Sequence, residues 1–523
     1  MVASLPPRGD AAAASLAGVM PGLASGAFFG GAFFMEHQRM SHTRRGPPIL
    51  PAVAVAWAGL FWAGATAGPA AEPAAEPAGP TAVEFDLRVR GELFAAAAAD
   101  AEPARRPIAL DARFEFTEQP ASGAGSDTVL RRYATARAVI QADGQPTVQR
   151  LAADAREVLV RLQGTMPRSY LAEGFLSRDE AELLDLPFDP LLLSGLRPGR
   201  PVTEGEAWKL SGDLVAGLLA IDTVESGGIE ARLTAVAAGG ATIMLQGTVT
   251  GAVDGVPTRI EVTGRAEAAA GATDDGGKAW LIDGPVTAIE ATVSERREAG
   301  WVAPGLDVEA TIAITRSGQT APPATAAAGG EAGPEDPASL AAGLAPPAAD
   351  RPAGAGRPGM VWQRHRHGRY ATVLDARWRV VEDGPEGLVL RFSDRGRLVA
   401  QCSILPLPRV AADAAPVEAT VCDDVRRSLG EQFGLLTESE ASTREDGTRI
   451  VRVVAEGAAD GRPFRWIHYV LTDPAGHRVA ATFMHEPGLA DRFAAADREL
   501  VAGLVALPDA RARQAVTPAA GPR

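Results

Sequence analysis

The chain has 523 residues, enough for two or three domains. Its formal charge of −14 and pI near 5.2, with no basic stripe, argue against nucleic acid as a partner. Apolar residues make up 46 % and charged residues 22 %, the composition of a globular protein and not of a disordered one.

Met40 opens a short basic stretch with Arg44 and Arg45. An apolar run follows from Ile49 to Ala63, and it ends at Ala65-Thr66-Ala67. Positive charge, apolar helix and small-x-small residues in this order form a secretory signal peptide over 40–67, cleaved after Ala67. The expected start is then Met40 or Met35, with residues 1–39 an upstream mis-annotation or a disordered segment. The address is secreted or periplasmic, and contact with a membrane is limited to an uncleaved signal segment. No cysteine lies near the cleavage point, so a lipoprotein anchor is not expected.

Residues 68–80 (GPAAEPAAEPAGP) form a Pro/Ala linker. The region 81–316 reads mostly as strands. Val83, Phe85, Leu87 and Val89 alternate with polar residues, as do Ile108, Leu110, Phe114 and Phe116. Further strands are expected at 130–141, 156–163, 228–237, 241–250, 257–267, 278–293 and 306–315. Gly239-Gly240 and Asp254-Gly255 sit where tight hairpin turns belong. In the middle, Ser177-Arg178-Asp179-Glu180 is a capping box that starts a helix through about Leu184. Residues 185–201 are Pro-punctuated and unusually apolar, and a short helix is expected at 212–221. This pattern predicts an antiparallel, curved sheet or open barrel with short helices. Leu191, Leu192, Leu193, Leu196, Trp208, Leu214 and Leu218 then either fill its core or line a pocket for an apolar molecule.

Residues 317–358 form a second, disordered linker, and residues 509–523 a disordered tail. Between them, 360–508 reads as three strands, a helix near 416–433, four strands and a closing helix near 488–505. Asp473-Pro474-Ala475-Gly476 marks a turn between two of these strands. The expectation is an α+β sandwich. The order resembles that of the PsbP-like and DcrB-like proteins, extracytoplasmic α-β-α sandwiches. The likeness rests on the Trp378 strand, Val389-Leu390-Arg391-Phe392, the 397–405 strand, the Trp466–Tyr469 strand and the closing amphipathic helix. The whole chain also resembles a group of bacterial secreted proteins that join a β-rich domain to such a sandwich. The resemblance implies a fold and an accessory role, and it hands over no catalytic residue.

Little chemistry is spelled out. His37 and His42 precede the cleavage point, so the β-rich region contains neither His nor Cys. That removes Ser-His and Cys-His nucleophile systems there. Asp179, Glu180, Glu182 and Asp185 cluster on one short helix, where acids ordinarily form a solvated, dipole-favoured face. His365-Arg366-His367 would put two imidazoles on one side if extended, but arginines surround them, and no metal or cofactor is expected. Cys402 and Cys422 either form a disulfide worth about 3 kcal/mol or remain buried thiols. The sequence therefore predicts a non-enzymatic binding or accessory protein of the cell envelope, whose partner is an envelope component or an apolar small molecule. The alternative is a lipid or lipoprotein carrier with a pocket in the β-rich region, and a carboxylate-dependent hydrolase is the remote third. N-terminal sequencing of the exported protein should give Gly68 as the first residue; a mature chain still carrying residues 1–39 would overturn the processing scheme.

Overall fold

A computed structural model describes residues 79–94, 105–121, 127–142, 145–237, 240–253, 256–272, 279–299, 304–318, 352, 354–394, 397–411, 417–459 and 461–507. Residues 1–39, the expected signal segment 40–67, the larger part of both expected linkers and the expected tail 509–523 lie outside them.

The first region contains β1 (Thr81–Phe94), β2 (Arg105–Pro120), β3 (Thr128–Ala142), β4 (Gln145–Arg150), β5 (Glu157–Gln163) and β6 (Met166–Tyr170). It continues with α1 (Arg178–Leu183), a 3-10 helix (Pro190–Leu196), β7 (Ala207–Lys209) and α2 (Gly212–Leu219). Then come β8 (Thr223–Ala237), β9 (Gly240–Val253), β10 (Val256–Ala269), β11 (Gly271–Ala272), β12 (Trp280–Leu281), β13 (Val286–Arg297) and β14 (Gly305–Gly318). The large sheet has the order β6-β5-β3-β2-β1-β14-β13-β10-β9-β8-β7, with β4 paired to β3. Neighbours are antiparallel throughout, and the sheet stays open, because β6 and β7 end the order without pairing to each other.

The alternation read from the sequence produces a one-sided sheet. On β1, Val83, Phe85, Leu87 and Val89 are buried while Glu84, Arg88 and Arg90 face solvent. The exposed face carries Arg–acid pairs such as Arg90–Asp111, Arg113–Glu115, Arg232–Glu230 and Arg259–Glu261. Each such exposed pair adds at most about 1 kcal/mol. Their effect is to keep one face wetted and so to set which face is buried. The registers Ala237↔Gly240 and Val253↔Val256 make the two expected two-residue hairpins, the first one residue earlier than read. The strand placed at 278–293 instead occupies Val286–Arg297, and β4 and β6 were not foreseen.

The connectivity has a geometric consequence. β6 and β7 are the two free edges of the sheet, and residues 171–206 must run from one edge to the other. They do so across the buried face. A surface loop would not need the leucines found there; a segment laid on an apolar sheet does.

The second region contains β15 (Met360–Arg364), β16 (Tyr370–Asp375), β17 (Trp378–Asp383), β18 (Leu388–Asp394) and β19 (Arg397–Leu407). It continues with α3 (Glu418–Leu429), β20 (Phe433–Thr443), β21 (Arg449–Ala459), β22 (Arg462–Thr472) and β23 (Arg478–His485). It closes with α4 (Ala490–Phe493), α5 (Ala496–Gly503) and β24 (Val505–Ala506). A seven-stranded antiparallel sheet runs β17-β18-β19-β23-β22-β21-β20, and a small sheet runs β15-β16-β24. The Asp473–Gly476 turn joins β22 to β23 as read, with Gly476 N donating to Asp473 O and Gly476 at φ +84°. Two differences stand out. β15 and β16 precede the expected first strand, and the closing helix is broken at Ala494, which has φ +47° and ψ −114°.

The seven-stranded sheet separates two cores. Alternate residues of β21 and β22 enter each one: Val451, Val453, Trp466 and Val470 pack with α3, whereas Val454, Ile467, Tyr469 and Leu471 pack with Phe493 and Leu500. Cys422 lies in the first core and Cys402 in the second, and both are free, buried thiols. The disulfide considered from the sequence is therefore not made; the sheet stands between the two sulfurs. Burial pushes the Cys402 thiol well up, which keeps it protonated and unreactive. A thiol reagent should modify neither cysteine until the domain unfolds, and a reductant should leave the thermal midpoint unchanged. A midpoint that drops on reduction would show a bond.

Candidate binding surfaces and a charged domain junction

The crossing segment is anchored by one buried ionic centre. Arg131, on β3, points into the core with 0 % side-chain exposure. Its Nη1 and Nη2 donate to Asp189 Oδ2 and Oδ1 at 2.8 and 2.6 Å, and its Nε donates to Glu118 Oε2 at 2.9 Å. Phe116 covers the guanidinium at 5.0 Å. Burial opposes the charge, but Asp189 and Glu118 overcome it and hold the guanidinium pKa above its ordinary value. Asp189 also caps the 3-10 helix by accepting from Leu191 N at 2.9 Å. One carboxylate thus fixes both the start of the leucine segment and its place on the sheet.

All seven residues singled out from the sequence come together around the same core. Leu192, Leu193, Leu196, Leu214 and Leu218 are buried; Leu191 and Trp208 are half-buried and pack against them. Trp208 Nε1 donates to Leu196 O at 3.0 Å, which ties the segment to β7. A methyl on Gly195 would come within 2.8 Å of the Leu214 side chain, so the 3-10 helix and α2 are in direct contact. Both ends of the stretch adopt left-handed backbone on non-glycine residues: Phe188 at φ +55° and Ala220 at φ +51°.

The acidic helix α1 differs from its sequence reading. Asp179 is exposed, but Glu180, Glu182 and Asp185 are not a solvated face. Glu180 completes the capping box with Ser177 and also accepts from Ala152 N at 3.2 Å. Glu182 and Asp185 turn towards the second region. There Ser177 bridges Trp362, Trp362 N donates to Leu176 O at 2.8 Å, and Gly174 N donates to Gly354 O at 2.6 Å. Arg178 donates to the backbone carbonyl of Trp378. Glu182 lies 3.5 Å from Arg178 and 3.9 Å from Arg379. Arg168, Arg178, Glu182, Asp185 and Arg379 surround a cavity of about 50 Å³, room for little more than water. Burial pushes Glu182 up to about 7 against the pull of Arg178 and Arg379, and Asp185 up to about 6 against Arg168 and Arg379.

The histidines are structural in their contacts. His365 stacks on Tyr370 at 4.6 Å and reaches Gly384 O through Nε2 at 2.8 Å. Residues 365–369 form a turn, so the two imidazoles of His365-Arg366-His367 are not arrayed along a strand. Among the described residues no group of three or more His, Cys, Asp and Glu is placed to hold a metal ion. His468 faces Thr482 Oγ1 at 3.1 Å, and burial pushes it down to about 4.

No family model matches the chain, and no curated protein does. Among solved structures, cyanobacterial PsbP (CyanoP) from Synechocystis sp. PCC 6803 is similar at 12 % identity and a TM-score of 0.23, over 28 % of this chain and 92 % of that one. Lipovitellin is similar at 8 % identity and a TM-score of 0.25, over 48 % of this chain and 26 % of that one. A mutant Rh. blastica porin gives 8 % and 0.11 over 77 % and 99 %.

The junction yields a pH prediction. Glu182 would titrate near 4.5 if released and titrates near 7 when docked, so the docked state binds the proton more tightly. Docking is favoured most below pH 4.5, weakens by about 3 kcal/mol as pH rises from 4.5 to 7, and loses nothing further from this group above that. Thermal scans should show the midpoint falling between about pH 4.5 and 7, and Glu182→Gln should reduce that slope, leaving the part that Asp185 contributes. An identical slope in the variant would remove Glu182 as its source.

Proposed function

We propose that the protein is a non-enzymatic binding or accessory protein of the cell envelope, exported by the 40–67 segment and acting through its outer surfaces. The observation that carries this reading is the occupied face of the large sheet. The chain lays its own 185–221 segment there, and Leu193, Leu196 and Leu218 have 0 % exposure. The opposite face, with its Arg–acid pairs, suits water and not the apolar band of a membrane barrel. We also read residues 360–506 as an α-β-α sandwich of the PsbP-like kind. Support comes from the strand order with α3 in one core and α4 and α5 in the other.

The carrier reading keeps one specific argument. Phe188 and Ala220 hold left-handed backbone at the two ends of the leucine stretch, where strain of about 1–3 kcal/mol per residue would be relieved if the segment swung away. An apolar chain would then take its place. The two readings separate by titrating a fluorescent fatty acid while recording the thermal midpoint. An accessory protein shows no saturable binding, and Leu193→Asp collapses its midpoint, because an unpaired buried charge costs several kcal/mol. Saturable binding by the wild type, lost in Leu193→Asp with the midpoint kept, would replace this reading by the carrier.

A further inference from the structure

The second region holds a larger cavity, of about 150 Å³, between the β20–β22 face and the break separating α4 from α5. That volume takes a molecule about the size of benzene. One wall is apolar: Val454, Ile467, Ala490 and Phe493. The opposite wall is a rigid polar frame. Arg452 donates to Glu438 Oε2 at 2.6 Å and to Tyr469 Oη at 3.0 Å, and Tyr469 donates to Asp497 Oδ2 at 2.7 Å. These four groups satisfy one another, so both acids on the wall are already engaged by Arg452 or Tyr469.

Three other groups around the cavity keep bonding capacity. Arg465 uses Nε and Nη2 on Glu456 Oε1, at 3.0 and 2.5 Å, and Nη1 makes no hydrogen bond among the described residues. Arg498 is exposed at the rim and, among the described residues, has no ion pair. His485 is 3 % exposed and lines the cavity. Its Nδ1 lies 2.9 Å from Glu486 O, and a carbonyl can only accept, so Nδ1 carries the proton. Burial, the largest effect on this ring, lowers its pKa and so favours the neutral form. Nε2 is then a lone-pair acceptor with no hydrogen-bond partner among the described residues. At the mouth, α5 starts without a side-chain cap at Ala495, and Ala494 holds its left-handed backbone. Two adjacent alanines leave that entrance unobstructed.

Arg452 and Arg465 already have acids, so Arg498, with no ion pair among the described residues, and the remaining Nη1 of Arg465 are the groups that ask for an oxyanion. A ring nitrogen that only accepts, on a histidine lining the cavity, asks for a hydroxyl or N–H donor beside it. The apolar wall asks for a few carbon atoms. We propose that this cavity binds a small hydroxycarboxylate, with the carboxylate at Arg465 and Arg498 and the hydroxyl donating to His485 Nε2. This goes beyond the accessory reading and stands or falls separately from it.

The test is calorimetric titration of the full chain at constant ionic strength with lactate, propionate and inorganic phosphate as probes. Lactate should bind saturably, and propionate, which lacks the hydroxyl, about tenfold more weakly. Arg498→Gln should weaken lactate about tenfold with no change in thermal midpoint, since Arg498 is at the surface. His485→Gln should bring lactate down to the level of propionate. Absence of saturable lactate binding, equal affinity for lactate and propionate, preference for free phosphate, or lactate affinity unaltered in Arg498→Gln would each overturn the proposal.

Discussion

The contact of Arg131 with Asp189 and Glu118 is the constraint on which the first region depends. A guanidinium with no solvent exposure is tolerable only when its charge is met and its N–H groups are bonded. Removing one partner leaves the other buried and unpaired, which costs about 3–5 kcal/mol. This makes the ion centre a positional device more than a source of net stability. Burying seven leucines and aromatics against a greasy sheet is non-directional, and many sliding arrangements would bury them nearly as well. Only one arrangement places Asp189 on Arg131. The centre therefore selects the register of the crossing segment, and the hydrophobic effect supplies the energy that keeps it down.

The same stretch of chain carries the junction to the second region. Within residues 178–189, Arg178, Glu182 and Asp185 face outward to β15–β17, and Asp189 faces inward to the sheet. A displacement of the crossing segment would thus be felt at the junction, and proton uptake at Glu182 would be felt by the crossing segment. The coupling needs no long pathway: six residues lie between Glu182 and Asp189, most of them buried.

Much of the fold was legible locally. Alternation in β1 and β2, two-residue hairpins after β8 and β9, the Ser177 capping box and the Asp473–Gly476 turn each depend on neighbours a few residues apart, and each is realised. The misread elements share the opposite property. β15 is held by a bridge from Trp362 to Ser177, and α5 is separated from α4 by a backbone turn that an alanine pair does not advertise. The acids of α1 obeyed a sound local rule, that carboxylates near a helix start are solvated. The rule failed because Arg379 and the Trp378 carbonyl arrive from about 200 residues away. The cavity beside His485 has no signal in the sequence at all, since its lining comes from β20, β21, β22, β23 and the α4–α5 break.

By itself the sequence determined the antiparallel strands and the set of leucines that had to be buried. These follow from composition and from periodicities of two and of three to four residues, which are properties of neighbours along the chain. Which face those leucines cover, that Cys402 and Cys422 lie on opposite sides of a sheet, and that Glu182 titrates near neutrality were decided only by the tertiary structure. Each depends on where the free edges of a sheet fall and on what charge is brought into a dry interior. Those quantities exist only once distant segments share the same space.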